Sequence, residues 1–132
     1  MSYLLDTHAF LWSIFDSKKL SKIAANTFLD PENTIHVSLI SFWEISIKYS
    51  LGKISLKNIT PEELPSIALS SGIEIFNLNP SDVSSFYKLP KIHNKDPFDR
   101  LIIWQSIRND FILISKDSKM KQYKNYGLKV IW

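Results

Sequence analysis

Tyr3-Leu4-Leu5-Asp6-Thr7-His8-Ala9-Phe10-Leu11-Trp12-Ser13-Ile14-Phe15 is the stretch that decides the fold. Three apolar residues stop at an acid, and from His8 to Phe15 aromatic and aliphatic residues recur at helical spacing. A strand that passes directly into a helix is the opening unit of an α/β protein.

The same hand-over recurs along the chain. Ser21 can cap a helix running through Phe28, which ends near the turn cluster Asp30-Pro31-Glu32-Asn33. Ile35-His36-Val37-Ser38 is β-rich and leads into a helical pattern from Ser41 to Lys48, with Gly52 beyond it. Thr60-Pro61-Glu62-Glu63 reads as a cap with proline at the first helical position, and Gly72 closes that segment before a strand over Ile73-Glu74-Ile75-Phe76. Pro80-Ser81-Asp82 opens a short helix, and Leu89 to Lys95 reads as a loop. Asp96-Pro97-Phe98-Asp99 starts an apolar helix ending at Arg108. Phe111 to Ser115 is a buried strand, a short helix follows Asp117, and Leu128 to Trp132 is the last strand. Strands separated by helices imply an α/β fold of three layers, α/β/α, around a central mainly parallel sheet of about five strands.

The 132 residues, 45% apolar with four Trp, five Tyr and eight Phe, suffice for one core, so a single domain over 1–132 is expected. No apolar run approaches the ~20 residues of a membrane helix, and the N-terminus lacks the basic start and apolar middle of a signal peptide. A soluble, cytoplasmic protein without membrane association is expected. With no cysteine, disulfides, thiolate metal sites and a cysteine nucleophile are excluded, so any metal must be held by oxygen or histidine. The net charge of +3 is small but unevenly placed. From Lys88 to Trp132 ten Lys/Arg face four Asp/Glu, which suits either a solvated basic face or contact with a polyanion.

In open α/β sheets the working crevice lies beyond the carboxyl ends of the strands. Asp6 and Asp117 stand at such exits, while Glu44 and the pair Asp96 and Asp99 fall in first turns of helices near the same edge. Five acids can thus face one cleft. Each also has a purely structural explanation. Asp6, Asp96 and Asp117 suit helix caps, Asp99 suits the helix dipole, and Ser41-Phe42-Trp43-Glu44 has capping-box spacing. Jointly, the acids make a hard-oxygen donor set for Mg²⁺ or Mn²⁺, ions that polarise phosphates and activate water. Other chemistries find little support: there is no G-x-S-x-G, the three glycines are scattered, and no histidine pair has zinc-site spacing. His8, His36 and His93 read as structural or solvent-facing, and Trp12, Trp43 and Trp104 as core residues on helical stripes.

Four segments resemble the PIN-domain family, and within it the VapC-type toxins of bacterial toxin–antitoxin pairs. They are Leu4-Leu5-Asp6-Thr7-His8, Ser41-Phe42-Trp43-Glu44-Ile45, His93-Asn94-Lys95-Asp96-Pro97-Phe98-Asp99-Arg100-Leu101-Ile102 and Leu113-Ile114-Ser115-Lys116-Asp117. They occur in the family's order and span nearly the whole chain. The resemblance implies a PIN-like α/β/α fold, Mg²⁺ or Mn²⁺ as cofactor, an RNA substrate, a homodimer and an antitoxin that blocks the cleft. It matches Asp6, Glu44, Asp99 and Asp117 to the family's four catalytic, metal-binding acids, with Asp96 as a fifth metal candidate. It also suggests that Thr7 and Ser115 orient acids and that Arg100 or Lys116 holds the scissile phosphate. Ser115 stands where many members carry threonine.

The expected activity is therefore divalent-metal-dependent endoribonuclease cleavage of RNA phosphodiesters. Two alternatives compete with it. A non-catalytic PIN-like binding or assembly module predicts no cleavage, and a receiver-type phospho-accepting domain predicts a second acid beside the first strand, where Thr7-His8 stands instead.

Overall fold

Alternation along the first strand, β1 (Ser2–Leu5), sends Tyr3 and Leu5 into one hydrophobic core and Leu4 into another. A strand buried on both sides requires a sheet covered on both faces. The computed structural model describes residues 1–92 and 95–132, and it has that arrangement. His93 and Asn94, which fall in the expected loop and in the third matching segment, lie outside the described residues.

Among the described residues four further strands join β1: β2 (Thr34–Ser38), β3 (Ile73–Phe76), β4 (Ile112–Ile114) and β5 (Lys129–Ile131). Their order is β3-β2-β1-β4-β5, and every neighbouring pair is parallel. The chain builds outward from β1 to β3 on one side, then returns to lay β4 and β5 on the other. Between β1 and β4 the strand order reverses, and open α/β sheets split apart at such a point to leave a crevice beyond the strand ends.

Among the described residues six α-helices cover the sheet: α1 (Thr7–Phe15), α2 (Lys22–Leu29), α3 (Leu39–Ser50), α4 (Leu64–Ser70), α5 (Pro80–Ser84) and α6 (Pro97–Arg108). The segment after Asp117, Ser118–Tyr126, is a 3₁₀ helix, closed by Gly127 in the left-handed region. One core packs Phe10 of α1, Ala24 of α2 and Ala68 of α4 on Leu5 and Val37. The other packs Ile102 and Ile103 of α6 with Met120 and Tyr123 on Leu4 and Leu113. The three layers and the central parallel sheet match the expectation from sequence. Among the described residues no helix is long and apolar enough to cross a membrane.

Two local readings need correction. The helix bearing Glu44 starts earlier than its capping-box spacing suggests, because β2 passes straight into α3 and Ser38 caps it, accepting from the Ile40 amide at 3.1 Å. Glu44 is then the sixth residue of the helix, and a capping role is removed. Trp43 is not a core residue but 60% exposed: α3 buries Ile40, Ser41, Glu44 and Ile45, and that face leaves Trp43 outside, edge-on to Phe98. Trp12 and Trp104 are half-buried.

Candidate active site

The parallel ladder between β1 and β4 pairs Leu5 with Ile114, so the residues that follow each strand emerge side by side. The Asp6 amide continues the ladder by donating to the Ile114 carbonyl at 3.1 Å. Asp6 is 6% exposed and caps α1, accepting from the Ala9 amide at 2.7 Å. Asp117 caps the 3₁₀ helix, accepting from the Lys119 amide at 2.9 Å. Ser115 stands between the two: its hydroxyl accepts from the Asp117 amide at 3.1 Å and favours the ionised form of the Asp6 carboxyl. Burial pushes the Asp6 carboxyl above its ordinary range, the charge of Asp117 adds to the rise, and the bonds to Ser115 and Ala9 and the charge of His8 oppose it.

Glu44 reaches the site from α3. It is 2% exposed, and its Oε1 accepts from the Thr7 hydroxyl at 2.6 Å. The Ser41 hydroxyl lies 3.0 Å from that of Thr7, which continues the chain of hydroxyls. Since Thr7 directly follows Asp6, it links the strand-exit acids to Glu44 across 37 positions of sequence. The other Glu44 oxygen, Oε2, accepts from the Lys48 ammonium at 2.5 Å. Burial works against the Lys48 charge, but the Glu44 hydrogen bond and the charges of Glu44, Asp96 and Asp99 outweigh it and raise the Lys48 pKa. Asp96 caps α6, accepting from the Phe98 amide at 2.9 Å, and Asp99 sits in the same first turn.

The five acids therefore form two linked groups rather than one closed ring. Asp6 and Asp117 stand across the β1/β4 switch point, and Glu44, Asp96 and Asp99 share the field of Lys48. Among the described residues no three His, Cys, Asp or Glu side chains are drawn tightly enough together to cage a metal ion. Like charges without a counter-ion between them hold apart, and here capping amides, hydroxyls and one ammonium satisfy them separately. The donor chemistry nonetheless fits a hard divalent cation: the candidates are carboxylate oxygens, one of them buried without a basic hydrogen-bond partner, and a cationic nitrogen already stands on another.

The basic candidates divide. Lys116 is exposed and lies 5.8 Å from the Trp12 ring. With Asp117, Lys121, Lys124 and Trp132 it lines a groove of about 440 Å³ next to the acids. Arg100 does not join them. It is 8% exposed, donates to the Leu89 carbonyl at 2.9 Å and lies 4.8 Å from the Phe86 ring. A helix facing the second core turns this arginine inward, and it lines a separate hollow with Lys91, Ile92 and Lys95. A larger hollow, about 540 Å³ between α3 and residues 60–65, shares no residue with the acidic set. His8 is exposed, and His36 stacks on Phe111 with Nδ1 3.1 Å from the Tyr3 carbonyl. Lys48 went unnoticed in the sequence, although its four-residue spacing from Glu44 was the available signal.

The PIN domain family model matches residues 3–126. The chain belongs to the PIN domain family. This membership displaces the receiver-type alternative. The chain is 25% identical to "Ribonuclease VapC22" of Mycobacterium tuberculosis over 129 residues, covering 98% of this chain and 97% of that protein. Among solved structures it is similar in fold to VapBC2 from Rickettsia felis, bound to a DNA fragment from the promoter, with a TM-score of 0.71 and 23% identity over 99% of this chain and 98% of the other. VapBC-1 from nontypeable Haemophilus influenzae gives a TM-score of 0.68 at 20% identity, covering 99% and 97%.

Proposed function

We propose that this PIN-domain chain is a divalent-metal-dependent endoribonuclease and the toxin of a toxin–antitoxin pair, acting in the cytoplasm. The observation that carries the reading is that Asp6 and Asp117 leave adjacent strands at the sheet's switch point and feel each other's charge, while Thr7, the residue after Asp6, holds Glu44 by a hydrogen bond. A similar protein named as a ribonuclease and structural neighbours that are VapBC complexes support it.

Asp6 and Asp117 would hold Mg²⁺ or Mn²⁺ from the strand ends, and Glu44, Asp99 and Asp96 would complete its surroundings. The bound ion supplies Lewis acidity toward a phosphate oxygen and lowers the pKa of water. Thr7 and Ser115 keep their acids in one orientation, which limits the motion needed to assemble the site. Water would attack phosphorus in line and lose a proton to solvent as the P–O3′ bond breaks, and the departing 3′ oxygen would take a proton from solvent to leave as a hydroxyl.

Lys116, Lys121 and Lys124 would hold the RNA backbone along the groove beside Asp117, and none is in an ion pair among the described residues. Trp12 and Trp132, with ring centroids 5.6 Å apart, offer faces for base stacking. Neutralising any two of these lysines is expected to weaken RNA binding and make its salt dependence shallower by about 0.7 per lost contact in the logarithmic slope. Binding measured across a salt series checks this, and an unchanged slope would place the RNA elsewhere.

An antitoxin and a second copy of the chain are the proposed protein partners. Exposed Leu39, Trp43 and Val83 give apolar surface for such contacts. Induced expression in a bacterium tests the whole reading: growth should stop with RNA cleaved, and co-expression of the protein encoded by the adjoining frame should restore it. Normal growth with intact RNA, despite folded protein, would favour the non-catalytic PIN-like module.

A further inference from the structure

We propose that the Lys48 ammonium is a resident cation of the acidic site, one that locks Glu44 and takes the place of a second divalent ion, so that the site loads one ion on its Asp6–Asp117 side. The inference rests on reading the acids as a divalent-cation site.

Two features of the geometry carry it. First, Lys48 lies four residues after Glu44 on α3, which puts both on one helix face, and the ammonium contacts Oε2 at 2.5 Å. The Lys48 side chain is 32% exposed and that of Glu44 only 3%, so the charged end reaches into the buried side of the contact. This differs from a surface ion pair, in which both partners stay in water.

Second, the compensation is one-sided. Asp96 and Asp99 add their charges to that of Glu44 around Lys48. Asp6 accepts from the Ala9 amide, and although the charge of His8 favours its ionised form, that of Asp117 opposes it. A dication entering this site finds carboxylates at the strand exits that no lysine or arginine pairs with among the described residues. Near Glu44 it would meet an ammonium already holding one oxygen, and like charges at such separations repel strongly away from bulk water. Thr7 occupies the other Glu44 oxygen, so the carboxylate cannot simply turn to offer a fresh one.

Mn²⁺ binding to the purified full chain, followed by the loss of the free-ion paramagnetic resonance signal, tests this independently of catalysis. The parent should take up about one Mn²⁺ per chain, and Lys48→Met, which keeps the length of the side chain without its charge, about two. Lys48→Arg should bind about one, as the parent does. If Lys48→Met does not fold, Lys48→Gln retains a donor for Glu44 and should also bind about two. Parental stoichiometry in the neutral variant overturns the proposal while leaving the metal site intact, and so does a parent that already binds two. No specific uptake by the parent overturns both this inference and the metal-site reading beneath it.

Discussion

Asp6→Asn is expected to leave the metal-free protein melting no lower than the parent at neutral pH, yet to remove most of its stabilisation by divalent ions and at least roughly 100-fold of its RNA cleavage. The Asp6 oxygen that accepts from Ala9 can be replaced by an amide oxygen at nearly constant shape, so the α1 cap survives. The charge does not. Burial and Asp117 raise the Asp6 pKa, so the folded state binds that proton more tightly than the unfolded chain does. Stability from this source is complete below the ordinary carboxylate range and is lost as the pH rises through the raised value. At neutral pH the parent has lost some or all of that contribution, and the variant, with no ionisable group at the position, has nothing to lose. Divalent ions should reverse the ranking, because a ligand at a hundredfold excess over its dissociation constant stabilises the folded parent by about 2.7 kcal/mol. Melting curves across pH, with and without Mn²⁺, read both effects. A less stable metal-free variant with parental Mn²⁺ stabilisation would make Asp6 a helix cap and nothing more.

Thr7→Val should be nearly as damaging, although it removes no charge. Valine keeps the shape and deletes the hydroxyl that donates to Glu44 at 2.6 Å in a buried setting. An oxygen of a buried carboxylate left without its donor costs about 1–3 kcal/mol, and freedom gained by a metal-orienting acid lowers activity by about 10–100-fold. Thr7→Ser keeps the donor and should recover most of both losses. Denaturant unfolding and cleavage rates of the two variants decide the matter; a valine variant as stable and active as the parent would show that Glu44 needs no such support.

These residues differ in how far the sequence revealed them. Asp6 could be read because it ends an apolar run at the exit of β1, and Asp117 because it follows the apolar run of β4 by three residues, where burial pattern and chain direction place both beyond the strand ends. The five parallel strands followed from the same alternation of short apolar runs and helical stretches. Contacts made only by folding were harder to see. The bond from Thr7 to Glu44 joins α1 to α3, and spacing along the chain cannot reveal it. Arg100 has the sequence position of a phosphate holder, but Phe86 and Leu89 from a separate segment draw it inward. Trp43 shares a helix with buried Ile40 and Ile45 and is nonetheless exposed, since the direction of the buried face depends on what α3 packs against. Lys48 was visible as a helical i,i+4 partner, a pattern common on solvated helices, and only the burial of Glu44 distinguishes it.

The most direct test of the acidic site is cleavage of a labelled single-stranded RNA by repurified parent and Asp117→Asn, each assayed in Mn²⁺, in Mg²⁺ and in excess chelator. The parent should cut with either ion and stop in chelator, and the variant, with its 3₁₀ helix still capped by an amide oxygen, should be inactive throughout. Undiminished cutting in chelator, or a fully active Asp117→Asn, would contradict the assignment of these carboxylates to metal-dependent RNA cleavage.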